Sequence, residues 1–251
     1  MRNYHSHTAR CGHAWGTDEE FVQAAIDAGY TTLGISEHSP WPFVDGYQEL
    51  DSRQRITMEQ LDGYLTDMQA LKEKYKDKIE IKVGLECEYF PRYFDWLKTV
   101  KPKLDYLLLG VHCSEHDEHL THYYARYNTP QQMEEYLRCA LAGMETGLFS
   151  YLAHPELCLA DYPVYDEVCK EISTAFAKRQ KSWTCLWNII STASTSREEA
   201  GKRVWGIPVR FFGKRRRNMA ARRSLAWMPI ARSISSGSDI WTPERICSLW
   251  V

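Results

Sequence analysis

The strongest constraint in this sequence is a repeat of local pattern: a strand-like run, then an amphipathic helix, five times between Asn3 and Ala177. Asn3–His7, Thr31–Ser36, Ile79–Leu85, Tyr106–Val111 and Phe149–Ala153 read as strands. Helices are expected between and after them. Thr17-Asp-Glu-Glu20 and Thr57-Met-Glu-Gln60 are capping boxes, in which a threonine side chain accepts from the third helical N–H. The first opens a helix with Phe21, Ala24, Ala25 and Ala28 on one face, ending at Gly29. The second opens one with Leu61, Leu65, Met68 and Leu71. Phe90–Val100 and Val164–Ala177 read as helical, and Thr129-Pro130 starts a helix with proline in its first turn. Regular alternation predicts parallel strands with right-handed crossovers, as a barrel or as an open sheet.

Composition fits that class. The 251 residues are 44% hydrophobic and 25% charged, which excludes a disordered or fibrous chain. No apolar run reaches a membrane span and no signal-peptide pattern opens the chain. The eight cysteines form no CxxC pair, so reduced thiols in a cytoplasmic protein are expected.

Chemistry-bearing residues recur at the strand ends. His5 and His7 close the first strand, with His13 shortly after; His38 closes the second, Glu86 the third, His112 the fourth and His154 the fifth. In parallel α/β folds the C-terminal strand ends form the site face, so these seven residues should converge there. Imidazole and carboxylate suit Zn, Mn or Fe, and a carboxylate can bridge two ions. Clustered divalent ions serve phosphate-ester hydrolysis, by making hydroxide from water and stabilising the oxygens of in-line displacement. A single such histidine is more often an ordinary surface or core residue; five successive strand ends bearing His or Glu are not. His116, His119 and His122, in the polar segment 114–122, are expected to be solvated loop residues.

Residues 3–41, from Asn-Tyr-His-Ser-His through Gly-Ile-Ser-Glu-His-Ser-Pro-Trp, resemble the opening of the histidinol-phosphatases of the PHP (polymerase and histidinol phosphatase) superfamily. Gly84-Leu-Glu-Cys-Glu-Tyr-Phe-Pro91, Asp105-Tyr through Gly-Val-His112, and Tyr151-Leu-Ala-His-Pro155 resemble its later motifs, in order. The resemblance covers residues 1–177. It implies a distorted (β/α)7 barrel, incomplete after residue 177, carrying up to three divalent metals (Zn, Mn or Fe). It implies hydrolysis of a small phosphate ester, L-histidinol phosphate, in histidine biosynthesis; a membrane partner is not expected, nor is nucleic acid the expected partner. By the family pattern His5 and His7 hold one metal, Glu86 bridges it to a second held by His112 and His154, and His13 and His38 hold the third. Substrate contacts are not placed; Arg126 is a loop candidate. Other readings are a PHP phosphoesterase for nucleotides, DNA ends or phosphotyrosine, and a metal-binding product without turnover.

The pattern breaks near Lys178. Residues 1–177 carry 16 Lys and Arg against 29 Asp and Glu, a net −13, whereas residues 178–251 carry 15 against 4, a net +11. All nine His and all fifteen Tyr precede Lys178, and six of nine Trp follow it. The resemblance calls for a late Asp-Ala-His motif, yet no His follows His154; Gly237-Ser-Asp239-Ile-Trp241 has the wrong residue where the His should be. The coding frame offers an explanation. Trp227-Met228-Pro229 is TGG-ATG-CCN, which, read from the third base of the Trp codon, must contain GAT-GCC, Asp-Ala. Pro229-Ile230 then allows His, and Ile230–Arg232 allows Ser-Pro. The same shift at Trp187-Asn188-Ile189-Ile190 forces Glu and allows Tyr-Asn. Residues 178–251 are therefore expected to be an out-of-frame segment. The rival is a basic nucleic-acid-binding extension around Lys214–Arg217, which explains the charge but not the missing Tyr and His.

Overall fold

The structure, a computed structural model, describes residues 1–43, 55–162 and 166–180. The expectations for residues 183–190, the basic run 214–217 and Asp239 lie outside them. Five parallel strands form one sheet: β1 (Arg2–Asn3), β2 (Thr32–His38), β3 (Glu80–Cys87), β4 (Tyr106–Leu109) and β5 (Tyr151–Leu152). They are followed in turn by helices α1 (Asp18–Asp27), α2 (Met58–Tyr75), α3 (Phe94–Val100), α4 (Pro130–Glu145) and α5 (Glu167–Gln180). The spatial order is the sequence order, β1-β2-β3-β4-β5. Such single winding belongs to a (β/α) barrel, because a doubly wound sheet would return past its first strand.

The expected strands are all present, with shifted ends. The first stops at Asn3 rather than His7, so His5 and His7 ride on the segment beyond it, although Ser36 N–H still donates to Ser6 O at 2.8 Å. The second and third run two residues further than the alternation suggests, to His38 and Cys87. Phe90–Val100 is split: Pro91–Tyr93 is a 3-10 turn and α3 begins at Phe94. The capping boxes at Thr17 and Thr57 are formed, and Thr129 forms a third with Gln132.

Strand alternation divides the sheet into two faces. Leu33, Ile35, Ile81, Val83, Leu85, Leu107, Leu109 and Leu152 belong to the main core with Val22, Tyr64, Met68, Leu97, Met133 and Tyr136 of the helices. The other face is concave, and Tyr4, Tyr106, Leu108 and Tyr151 form a small cluster there. The Tyr106 and Tyr151 hydroxyls both donate to Tyr4 O, at 2.8 and 2.7 Å. A flat sheet would hold β1 and β5 roughly 19 Å apart, so the bond from Tyr151 requires the sheet to curl. Glycine makes room for this: a Cβ on Gly84 would stand 2.7 Å from the Tyr106 ring, and one on Gly34 2.5 Å from its hydroxyl.

Candidate metal centre

Curling brings the C-terminal strand ends to one rim, with Glu86 at its middle. β2 and β3 pair in register so that His38 sits opposite Glu86. The Glu86 carboxylate is buried, 1% exposed. Its Oε2 lies 3.0 Å from His5 Nε2, 2.9 Å from His7 Nε2 and 3.5 Å from His38 Nδ1. Its Oε1 lies 2.8 Å from His154 Nε2 and 3.4 Å from His112 Nε2. Five imidazoles from four strand ends thus surround one carboxylate. Gly110 permits this approach, since a Cβ there would meet Glu86 Oε1 at 2.5 Å. His13, exposed, stands at the margin, its ring centroid 4.8 Å from that of His38 and 5.5 Å from that of His7.

All seven residues singled out from the sequence therefore lie in one cluster. Their grouping is more interleaved than the family pattern implies, because His38 reaches Glu86 as well as His13. Of the three other histidines, His116 and His119 are exposed loop residues as expected. His122 is not: it is half-buried, its Nε2 is 2.7 Å from Asn128 Oδ1, and its N–H donates to Asp117. Asn128 is fully buried and donates to the carbonyls of Tyr124, Arg126 and Cys158, so this loop is folded on itself. Arg126 is exposed on it.

The site's electrostatics favour a cation. Burial pushes the Glu86 carboxyl up, but His5, His38 and His112 outweigh it and hold it well below its usual range. Burial lowers His5 and His38, favouring the neutral imidazoles that metals require. At His112 burial is overcome by Glu86 and Glu88, and its titration moves up to about 9. A cation between these two buried carboxylates is thus favoured. The donor spacing also fits an ion. Two nitrogens on one tetrahedral zinc lie about 3.4 Å apart; His5 and His7 Nε2 are 3.1 Å apart, and His112 and His154 Nε2 are 3.3 Å apart. Three donor groups meet here, each with ligand atoms within 4.8 Å: His5-Glu86-His154, His7-His38-Glu86 and His38-Glu88-His112.

Supporting residues escape a reading of strand ends alone. Glu88, 2% exposed, faces His112 Nδ1 at 3.2 Å. Its other oxygen accepts the Trp41 indole N–H at 2.8 Å, and Arg55 lies 3.7 Å away. Glu88 thereby orients His112 so that Nε2 faces the cluster. Period-two alternation carries the signal, since Glu88 is two residues beyond Glu86 and shares its face. His154 has φ +30°, an uncommon conformation for a non-glycine residue. The Tyr136 hydroxyl bonds the carbonyls of His154 and Pro155, both at 3.1 Å, and pins that bend. No local sequence pattern announces this contact.

A parallel part-barrel with a histidine-ringed carboxylate on its C-terminal rim is the architecture of a metal-site (β/α) protein. The PHP domain model matches residues 3–182, and the chain belongs to the PHP domain family. Among curated proteins it is 29% identical over 160 residues to a protein of Deinococcus radiodurans named a probable histidinol-phosphatase; that match covers 61% of this chain and 59% of the relative. It is 30% identical over 134 residues to the histidinol-phosphatase of Bacillus subtilis, covering 47% of this chain and 49% of the relative. The chain thus spans about half the length of these relatives. A crystal structure from Listeria monocytogenes, assigned as a histidinol phosphatase, superposes with a TM-score of 0.54 at 22% identity, over 71% of this chain and 79% of that one. At that identity the likeness speaks to the fold, a barrel of which the described residues form part.

Proposed function

We propose that this chain is a metal-dependent phosphomonoesterase acting on L-histidinol phosphate, a small-molecule ester, in histidine biosynthesis. The observation that carries the metal-dependent part is the Glu86 carboxylate held by five imidazoles on a barrel rim. Relatives named histidinol-phosphatases support the substrate. His5, His7, His13, His38, Glu86, His112 and His154 would hold up to three divalent ions (Zn, Mn or Fe), with Glu86 shared between two. When bound, such ions supply a water of lowered pKa and Lewis-acid stabilisation of the phosphoryl oxygens. The chain's own residues arrange the rest. Glu88 turns His112 Nε2 inward, Tyr136 sets the His154 backbone, and burial of Glu86 keeps bulk water off the shared carboxylate. Water then replaces the ester oxygen at phosphorus, releasing L-histidinol and inorganic phosphate.

A cytoplasmic location fits six buried cysteine thiols among the described residues, where no helix is long and apolar enough to cross a membrane. The test is phosphate release from L-histidinol phosphate by metal-loaded protein, before and after chelation. Chelator-sensitive release is expected. Release unaffected by complete metal removal, or confined to nucleotide or phosphotyrosine esters, would overturn the reading.

A further inference from the structure

Cys11 stands behind two of the site's imidazoles. Its side chain is fully buried, and Sγ lies 3.2 Å from His13 Nδ1 and 3.6 Å from His7 Nδ1. His7 turns its other nitrogen, Nε2, toward Glu86 at 2.9 Å. A ring that offers Nε2 to a metal carries its proton on Nδ1 and needs an acceptor there. For His7 the atom in that place is the Cys11 sulfur; for His13 it is the same sulfur, with the Cys11 backbone carbonyl beside it. A thiol can accept weakly while donating its own proton, and two acceptors are at hand. Thr8 O is 3.8 Å from the sulfur. A carboxylate oxygen of Glu37 lies within 4.8 Å of both Sγ and a His7 ring nitrogen.

Glu37 also secures the segment. Its Oε1 accepts the Thr8 N–H at 2.7 Å, and its Oε2 is buried without a hydrogen-bond partner among the described residues. Thr8 in turn caps the 3-10 turn Ala9–Cys11 by accepting from Arg10 N–H, and Gly12, at φ +77°, closes that turn and leads into His13. A carboxylate on the helix-facing side of β2 thus holds the turn that sets the sulfur between two rings.

We propose that Cys11 is a positioning residue of the metal centre: its sulfur accepts the Nδ1 protons of His7 and His13 and so presents both Nε2 atoms to the ions, while Glu37 anchors its turn. This rests on the metal-dependent reading above. It is distinct from Cys11 acting as a ligand itself, which the His7-Cys11-Glu37 grouping would also allow.

In the zinc-loaded full-length chain, proton–nitrogen NMR reads the Nδ1 protons of His7 and His13, which are expected to exchange slowly with solvent because the buried sulfur accepts them. In Cys11→Ala both should exchange faster, with Cys11→Ser restoring slow exchange in part and His154 unchanged in each. Zinc titrated into the chelated proteins should bind about 10–100-fold more weakly to Cys11→Ala. Unchanged proton exchange with unchanged zinc affinity in a folded Cys11→Ala protein would overturn the proposal. So would a thiolate charge-transfer band in the cobalt-loaded native protein that vanishes in Cys11→Ser, which would make the sulfur a ligand. Failure of the native chain to bind zinc would overturn the metal reading, and this proposal with it.

Discussion

Glu88 holds His112 from behind, and the strength of the centre depends on such holds as much as on the ring of ligands. Replacing Glu88 with Ala leaves His112 Nδ1 and the Trp41 indole N–H without their shared acceptor. Zinc affinity should fall about 10–100-fold, measured by calorimetric titration of the chelated protein; unchanged affinity would mean that His112 does not depend on Glu88. Gly110→Ala tests the same centre from in front. The new methyl would stand 2.5 Å from Glu86 Oε1 and 2.7 Å from His112 Cε1, so metal uptake should drop sharply while the helical circular dichroism is retained. Five of the six histidines proposed as ligands are legible in the sequence because they sit at or just past strand ends, where backbone direction aims them; His13 follows the turn Ala9–Cys11 instead. Glu88 is legible only through the two-residue period. Cys11 and Glu37 are not, because their part depends on which ring nitrogen faces inward, and His122 looks solvated until Asn128 is seen beside it.

Helix starts are the most legible elements here. A capping box is a contact between neighbours in sequence, and at Thr17, Thr57 and Thr129 it forms with residue three places on. Thr129→Ala removes the acceptor for Gln132 N–H at the head of α4 and should cost about 1 kcal/mol, whereas Thr129→Gly should cost only a few tenths. Urea unfolding of the two variants gives that ordering directly, and unchanged stability in Thr129→Ala would show that the cap contributes nothing. Strand ends are less legible because they depend on partners distant in sequence. The run to His7 continues the alternation, but the β1–β2 pairing extends only from Arg2 to Asn3, and Phe149–Ala153 shortens to Tyr151–Leu152 for the same reason. The curl is invisible at this scale, since the Tyr151–Tyr4 bond spans 147 residues.

At the scale of the whole chain, the acidic body and the basic remainder call for one explanation. The family match ends at residue 182, within a few residues of the point where net charge turns from −13 to +11 and Tyr and His disappear. A nucleic-acid-binding extension would account for the charge alone. A one-base slip near Lys178 accounts also for the missing Tyr and His and for Asp-Ala, with room for His-Ser-Pro, lying out of frame at Trp227–Arg232. The family resemblance calls for the Asp and His of that motif as ligands, and no His follows His154. Nucleotide sequencing across codon 178 should therefore reveal a gained or lost base relative to the frame that encodes Asp-Ala-His. A chain with that frame restored should bind more metal per molecule and hydrolyse L-histidinol phosphate well above the 251-residue chain, assayed side by side with the same metal. An undisturbed frame, or full turnover by the 251-residue chain, would overturn the slip. Salt-dependent affinity for DNA or RNA that vanishes on deleting residues 178–251 would favour the basic extension instead.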